Sequence, residues 1–160
     1  TGEDFRCSQG SSFPQKTVYE LLEEGNRTWK YYYNDSAWVS FVEFFDTPRG
    51  QRGMETYDKF YEACESGKLP SFSFLLPRQG TNETTGDGSN DDHPCHDVAL
   101  GEKLLKDTYE AIRASPAWNR TLLVVTYDDS GGFYDHAPLV TGVPAPDDIP
   151  SCSTKTDYTL

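Results

Sequence analysis

Asp128 and Asp129 form an adjacent acidic pair inside the run TLLVVTYDDSGGFYDH. Two carboxylates so close raise each other's pKa unless a cation lies beside them. A hard divalent metal ion removes that cost, so the pair is a candidate metal-binding corner. The Ser130-Gly131-Gly132 that follows permits a tight turn and close backbone approach. The competing reading is a solvated acidic turn, common in a chain with a formal charge of −12. A second cluster, Asp91-Asp92-His93-Pro94, combines two carboxylates and an imidazole. His93 could ligate a metal, contact a phosphate oxygen or protonate a leaving group. A helix starting just after it favours an anion. His96 or Asp97 suits the N-cap of that helix.

Other motifs do not survive inspection. Asp87-Gly88-Ser89-Asn90-Asp91 begins like a calcium loop, but the sixth position is Asp92 rather than Gly and the twelfth is Val98 rather than Glu. Ser130 lies in DSGG, without the G-x-S-x-G elbow of a serine nucleophile. Neither a P-loop nor a dinucleotide fingerprint is present.

The elements that must position these residues follow from periodicity. Phe13 to Glu24 reads as a helix opened by Pro14 and ended by Gly25, with Val18, Leu21 and Leu22 on one face. Thr28 to Tyr33 suits a strand. Ala37 to Phe45 suits a short helix. Met54 to Ser66 suits another, with Tyr57, Phe60, Tyr61 and Cys64 at helical spacing. Ser71 to Leu76 is a strand, and Pro77 to His93 a long polar loop, itself a mild functional signal. Asp97 to Ala114 is an amphipathic helix with Val98, Leu105, Tyr109 and Ile112 on one face. Thr121 to Tyr127 is a continuous apolar run, as expected of a strand covered on both faces. Strand, helix and strand make a βαβ unit with parallel strands. In such a unit the 91–93 loop and the 128–129 turn share one edge of the sheet, where open α/β sheets bind ligands. After His136 the chain is Pro-rich and reads as a long loop.

Bulk properties bound the partners. The length of 160 residues suits one domain or one piece of a larger one. The net negative charge disfavours nucleic acid, which is held by Lys and Arg fields. It also repels anionic substrates, so a phosphate-ester substrate calls for a metal cation. No run reaches the ~18 apolar residues of a membrane span. The N-terminus lacks a signal-peptide layout. Of five Asn residues, four stand in N-x-S/T sequons: Asn26, Asn34, Asn82 and Asn119. Cys7, Cys64, Cys95 and Cys152 form no CxxC pair, which points to one or two disulfides in an oxidising compartment rather than to a zinc site. These features predict N-glycans on the four Asn residues and a secreted, endomembrane or vacuolar-lumen location. Four reduced thiols in a cytosolic protein are the alternative.

The run NDDHPCHD, followed by YEAIRASPAWNRTLLVVTYDDSGGFYDHAP, resembles the phosphoesterase family of phosphatidylcholine-type phospholipases C and acid phosphatases, including the plant non-specific phospholipases C. FPQKTVYELLEEGNRTWKYYY and GKLPSFSFLLP fit the same family, so the likeness covers most of residues 12 to 148. It implies an α/β fold, an alkaline-phosphatase-like three-layer sandwich with a mostly parallel sheet, of which residues 1–160 form part of a single domain. It also implies a hydroxyl nucleophile and a divalent metal ion acting on a phospholipid or a small phosphate ester. By that resemblance Asp128 and Asp129 match the metal-binding acidic pair. His93 and Asp92 belong to the motif nearest the substrate phosphate, and Asp135 and His136 shape the site. The family's second acid is often Glu and is followed by His, where this chain has Asp129 and Ser130. The family's E-N-R-S-F-D-like motif and its nucleophile segment do not occur, so this chain is expected to be inactive alone. A non-catalytic, glycosylated ectodomain that binds metal or a partner is the other reading of the same residues.

Overall fold

The computed structural model describes residues 13–37, 39, 41–80, 88–134, 136–138, 140–144 and 157–158. Helix α1 spans Val18–Glu24. It starts four residues later than Pro14 because Thr17 and Glu20 form a capping box. Glu20 N donates to Thr17 Oγ1 (3.3 Å) and Thr17 N donates to Glu20 Oε2 (2.7 Å). Strand β1, Trp29–Tyr33, follows as expected. The helix expected over Ala37–Phe45 is reduced to α2, Glu43–Asp46. Phe13 lies beside Val42 and accepts from Glu43 N (2.9 Å) while donating to Phe41 O (2.7 Å). That bridge takes backbone groups a longer helix would use. A second short helix, α3, covers Pro48–Gln51.

Residues 54–66 also differ from expectation. Met54–Thr56 form strand β2, and only Tyr57–Glu65 form helix α4. Strand β3 is Phe72–Leu76. The three strands run parallel in the order β2-β1-β3, with Tyr31 opposite both Met54 and Phe74. The long helix α5, Val98–Ala114, is capped by Asp97, whose side chain accepts from Ala99 N. Thus Asp97, not His96, is the cap. The buried positions of α5 are Gly101, Thr108 and Ile112. Val98 and Tyr109 face outward, so the inner face is rotated from the one that apolar spacing suggests.

Both sheet faces are covered, the condition that lets a parallel sheet read as nearly continuous apolar sequence. Successive residues of β1 point to opposite faces. Trp29 and Tyr31 pack with Tyr19 of α1 and with Phe44 and Phe45 of α2. Tyr32 packs with Tyr57, Phe60 and Cys64 of α4 and with Ile112 of α5. The Tyr57 and Thr108 hydroxyls, 3.1 Å apart, tie α4 to α5. The result is a three-layer α/β architecture, as expected of part of an alkaline-phosphatase-like fold. Among the described residues no helix is long and apolar enough to cross a membrane.

Two expectations fail in the last third. Thr121–Tyr127 joins no strand ladder among the described residues. Leu122 and Val124 are 84% and 71% exposed, and Leu123 alone packs against the Tyr32 cluster. The apolar pattern of a two-sided strand is therefore present without the strands that would cover it, and the βαβ unit remains open. Beyond His136, the expected loop contains a two-residue strand, β4 (Val143–Pro144), antiparallel to β5 (Asp157–Tyr158). Neither of the described cysteines forms a disulfide: Cys64 is a buried free thiol and Cys95 an exposed one. Cys7 and Cys152 lie outside the described residues, as do Asn82 and Asp135.

Candidate functional site

The site is built where β3 ends and α5 begins. After Leu76 the chain turns across the carboxyl edge of the sheet. Arg78 and Asn90 clamp the loop: Arg78 N donates to Asn90 Oδ1 (2.6 Å) and Asn90 N to Arg78 O (2.9 Å). Asp35, just beyond β1, receives Gly80 N at 2.7 Å, Ser36 N at 2.9 Å and Gln79 N at 3.4 Å. Burial works against its charge, but these backbone donors prevail and hold its carboxyl below the ordinary value of 3.8. Spacing does not reveal Asp35, because Gly80 is 45 residues away.

The segment 91–96 is shaped by two residues in the left-handed region, Asp92 (φ 59°) and Cys95 (φ 78°). This folding brings His96 back to Asp91. His96 Nδ1 and Asp91 Oδ1 are 2.7 Å apart, and the Asp91 side chain is only 11% exposed. A carboxylate accepts, so Nδ1 carries the proton and Nε2 of a neutral His96 is left as a base. His93 is fixed likewise. Its Nδ1 lies 3.0 Å from the Pro94 carbonyl, which can only accept. The two imidazole rings are 5.4 Å apart. The pairing of His96 with Asp91 makes it a second positioned imidazole that sequence spacing alone left as a possible helix cap.

Asp92 joins this loop to the end of the apolar run. Tyr127 donates its hydroxyl to Asp92 Oδ2 (3.0 Å), and the carboxylate pushes the phenol's pKa above its ordinary 10.0. Asp92 Oδ1 is buried with no hydrogen-bond partner. It lies against Gly101, where a Cβ would sit 1.9 Å from it. A buried carboxylate oxygen without a hydrogen-bond partner is uncommon in folded proteins and marks a place where an ion or a water fits. On the other side, Gly131 (φ 60°) approaches Pro94, and a Cβ there would be 3.1 Å from the ring. The 91–96 loop and the 127–132 turn are therefore in contact.

Asp128 and Asp129 stand exposed on that turn. Asp129 Oδ1 accepts from Gly131 N (2.6 Å), closing an Asx-turn. Their hard oxygen donors fit part of a divalent-metal ligand set. Among the described residues no group of three His, Cys, Asp or Glu side chains gathers around one point. His93 and His136 are exposed. The arrangement thus offers two carboxylates for a cation beside two oriented imidazoles and one buried acid.

An acidic turn seated against an imidazole loop, beside a parallel α/β sheet, fits a phosphoesterase type of domain. The chain matches the Phosphoesterase family over residues 3–157 and belongs to that family. It is 41% identical over 139 residues to non-specific phospholipase C4 of Arabidopsis thaliana, covering 86% of this chain and 26% of that protein. Non-specific phospholipase C6 of the same plant is 43% identical over 138 residues, covering 84% and 26%. Phospholipase C A of Mycobacterium tuberculosis is 28% identical over 154 residues, covering 82% and 27%. The chain spans about a quarter of the length of these relatives (26–27%).

Proposed function

We propose that the protein carrying this chain is a phosphoesterase of the phospholipase C type, hydrolysing a phospholipid or a smaller phosphate ester. The observation that carries this reading is the seating of the Asp128-Asp129 turn against the His93 loop, in a chain of the Phosphoesterase family. Asp128 and Asp129 supply part of the ligand set of a divalent cation. When bound, that cation offsets phosphate charge and lowers the pKa of an attacking hydroxyl. The hydroxyl comes from a residue outside these 160. His93, its Nδ1 committed to Pro94, presents Nε2 for a phosphoryl oxygen or a leaving-group oxygen. Asp92 holds Tyr127 and so sets the position of the acidic turn. Asp135 and His136, which close the family motif, are assigned a site-shaping role on that resemblance alone. Phosphodiester and phosphomonoester cleavage, the latter of the acid phosphatase kind, use the same parts.

Sequons at Asn26, Asn34, Asn82 and Asn119 support N-glycosylation and a secreted, endomembrane or vacuolar-lumen setting. The sequons and the acidic turn also suit a second reading, a non-catalytic glycosylated domain that binds metal or a partner. A single experiment separates the two. Asp128→Asn and Asp129→Asn are made in the full-length protein, and p-nitrophenol release is followed from a phosphodiester and a phosphomonoester. The enzyme reading expects turnover to fall at least ~100-fold, with loss of bound metal. Unchanged turnover with unchanged metal content refutes it, and no turnover by the unmodified protein favours the binding module. The preferred ester identifies the substrate class.

A further inference from the structure

The opposite edge of the sheet carries a feature that the acidic site does not use. A groove of about 720 Å³ lies where the three strands begin, beside Trp29, Gly53 and Pro70. Six Lys and Arg side chains line it against three Glu, in a chain whose net charge is −12. All three carboxylates are already matched: Glu55 pairs with Lys30 and Glu62 with Lys59, each at 2.7 Å, and Glu23 pairs with Arg49. Three cations remain, Arg27, Arg52 and Lys68; none forms a salt bridge among the described residues, although Arg52 lies near enough to Glu23 to add to the pull of Arg49 on it.

Cations following a helix end have a structural use, because they complement the carbonyls of the last turn. Arg27 and Lys68 lie beyond the ends of α1 and α4, and neither helix carries a basic residue in its last turn. Arg52 follows the four-residue α3, too short for a sizeable dipole. Helix ends also do not explain why three such cations line one groove, nor why every acid within it is neutralised. Matched acids leave the excess positive charge uncancelled. A concave wall strengthens its field toward an incoming anion. Arg27 and Arg52 add planar donor forks, which suit the paired oxygens of phosphate.

We propose that this groove is a binding site for a phosphate-bearing anion carrying two or more negative charges. It is separate from the acidic turn and independent of the hydrolytic reading. The ligand is either a soluble phosphorylated compound or the headgroup of an anionic lipid, and the two share the recognised group.

The test uses the full-length protein in the background Asp128→Asn, Asp129→Asn, which removes the acidic site as a competitor. Inorganic pyrophosphate is titrated calorimetrically, and vesicles of phosphatidylcholine with and without phosphatidic acid are floated with the protein. The same is done for the triple variant Arg27→Gln, Arg52→Gln, Lys68→Gln, its fold checked by circular dichroism. The expected result is saturable, salt-sensitive binding of at least one probe that weakens about tenfold or more in the triple variant. Pyrophosphate binding identifies a soluble ligand; binding only to vesicles containing phosphatidic acid identifies a headgroup. The proposal is overturned if neither probe binds, or if both bind the folded triple variant as tightly as the parent. Should the triple variant misfold, Lys68→Gln alone is measured, and an unchanged affinity there also overturns it.

Discussion

Tyr127 donates its hydroxyl to Oδ2 of Asp92 across 3.0 Å, joining residues 35 apart in sequence. The bond ties the last residue before the acidic pair to the residue before His93. The two halves of the site are thereby joined by a hydrogen bond to a side chain whose other oxygen has no partner.

Tyr127→Phe should loosen the site with little effect on global stability. Tyr127 is 62% exposed, so the loss is at the low end of the ~0.5–1.5 kcal/mol of a typical hydrogen bond. If the full-length protein has the proposed activity, its kcat should fall while the melting temperature barely moves. The pH behaviour has a defined sign. The phenol's pKa is raised above 10.0, so its contribution is complete in the neutral range and is lost as pH climbs through the raised value. An ultraviolet titration that finds all tyrosines ionising together near 10.0 would contradict the bond.

Gly101→Ala tests the seat of Asp92. The new Cβ would stand 1.9 Å from Oδ1, and 2.5 Å from Cγ, so the carboxylate must leave. A destabilisation of ~1–3 kcal/mol is expected by thermal or urea unfolding. Combined with Tyr127→Phe, the effects on activity should be less than additive, because both break one contact.

Asp35→Asn should matter at neutral pH and cease to matter in acid. The folded-state pKa of Asp35 lies below 3.8, so its contribution is complete above that value and disappears as pH falls through the lower one. At about pH 7 the cost is ~0.5–1.5 kcal/mol, at the lower end because the carboxylate is solvent-screened. Melting curves of variant and parent should converge as the pH falls below 3.8 and through the lowered value. Parallel curves at every pH would show that the carboxylate charge is not what holds Gly80.

The two described thiols should differ sharply in reactivity. Cys64 is 1% exposed, and burial pushes its thiol up to about 11. Cys95 is exposed. Iodoacetamide at neutral pH should modify Cys95 and spare Cys64 until the chain is denatured. Peptide mapping by mass spectrometry reads both sites. Equal labelling would mean that the packing of Cys64 with Phe60 and Ile112 opens readily.

Much of this architecture is legible in the sequence, and the failures share a cause. Trp29–Tyr33, Phe72–Leu76 and the α5 helix announce themselves by aromatic runs or 3.6-residue spacing, which are local signals. Met54–Thr56 does not, because a three-residue strand exists only through pairing with β1. The shortening of the second expected helix depends on Phe13, about thirty residues upstream of Val42. At the site, the identity of Asp128, Asp129 and His93 is readable from residue type. The Asp91–His96 pair is not, since it needs the left-handed turns at Asp92 and Cys95. Asp35 is hidden for the same reason: its partners are tertiary.

The unpaired apolar run from Thr121 to Tyr127 has a kinetic consequence. Its amides join no ladder among the described residues, and most of its side chains meet water. They should exchange hydrogen with solvent almost as fast as in an unstructured peptide, while Tyr31 and Tyr32 next door exchange slowly. Any backbone that docks alongside would slow them residue by residue. Deuterium uptake over these seven residues is therefore a clock for the assembly of the strand that bears the acidic pair.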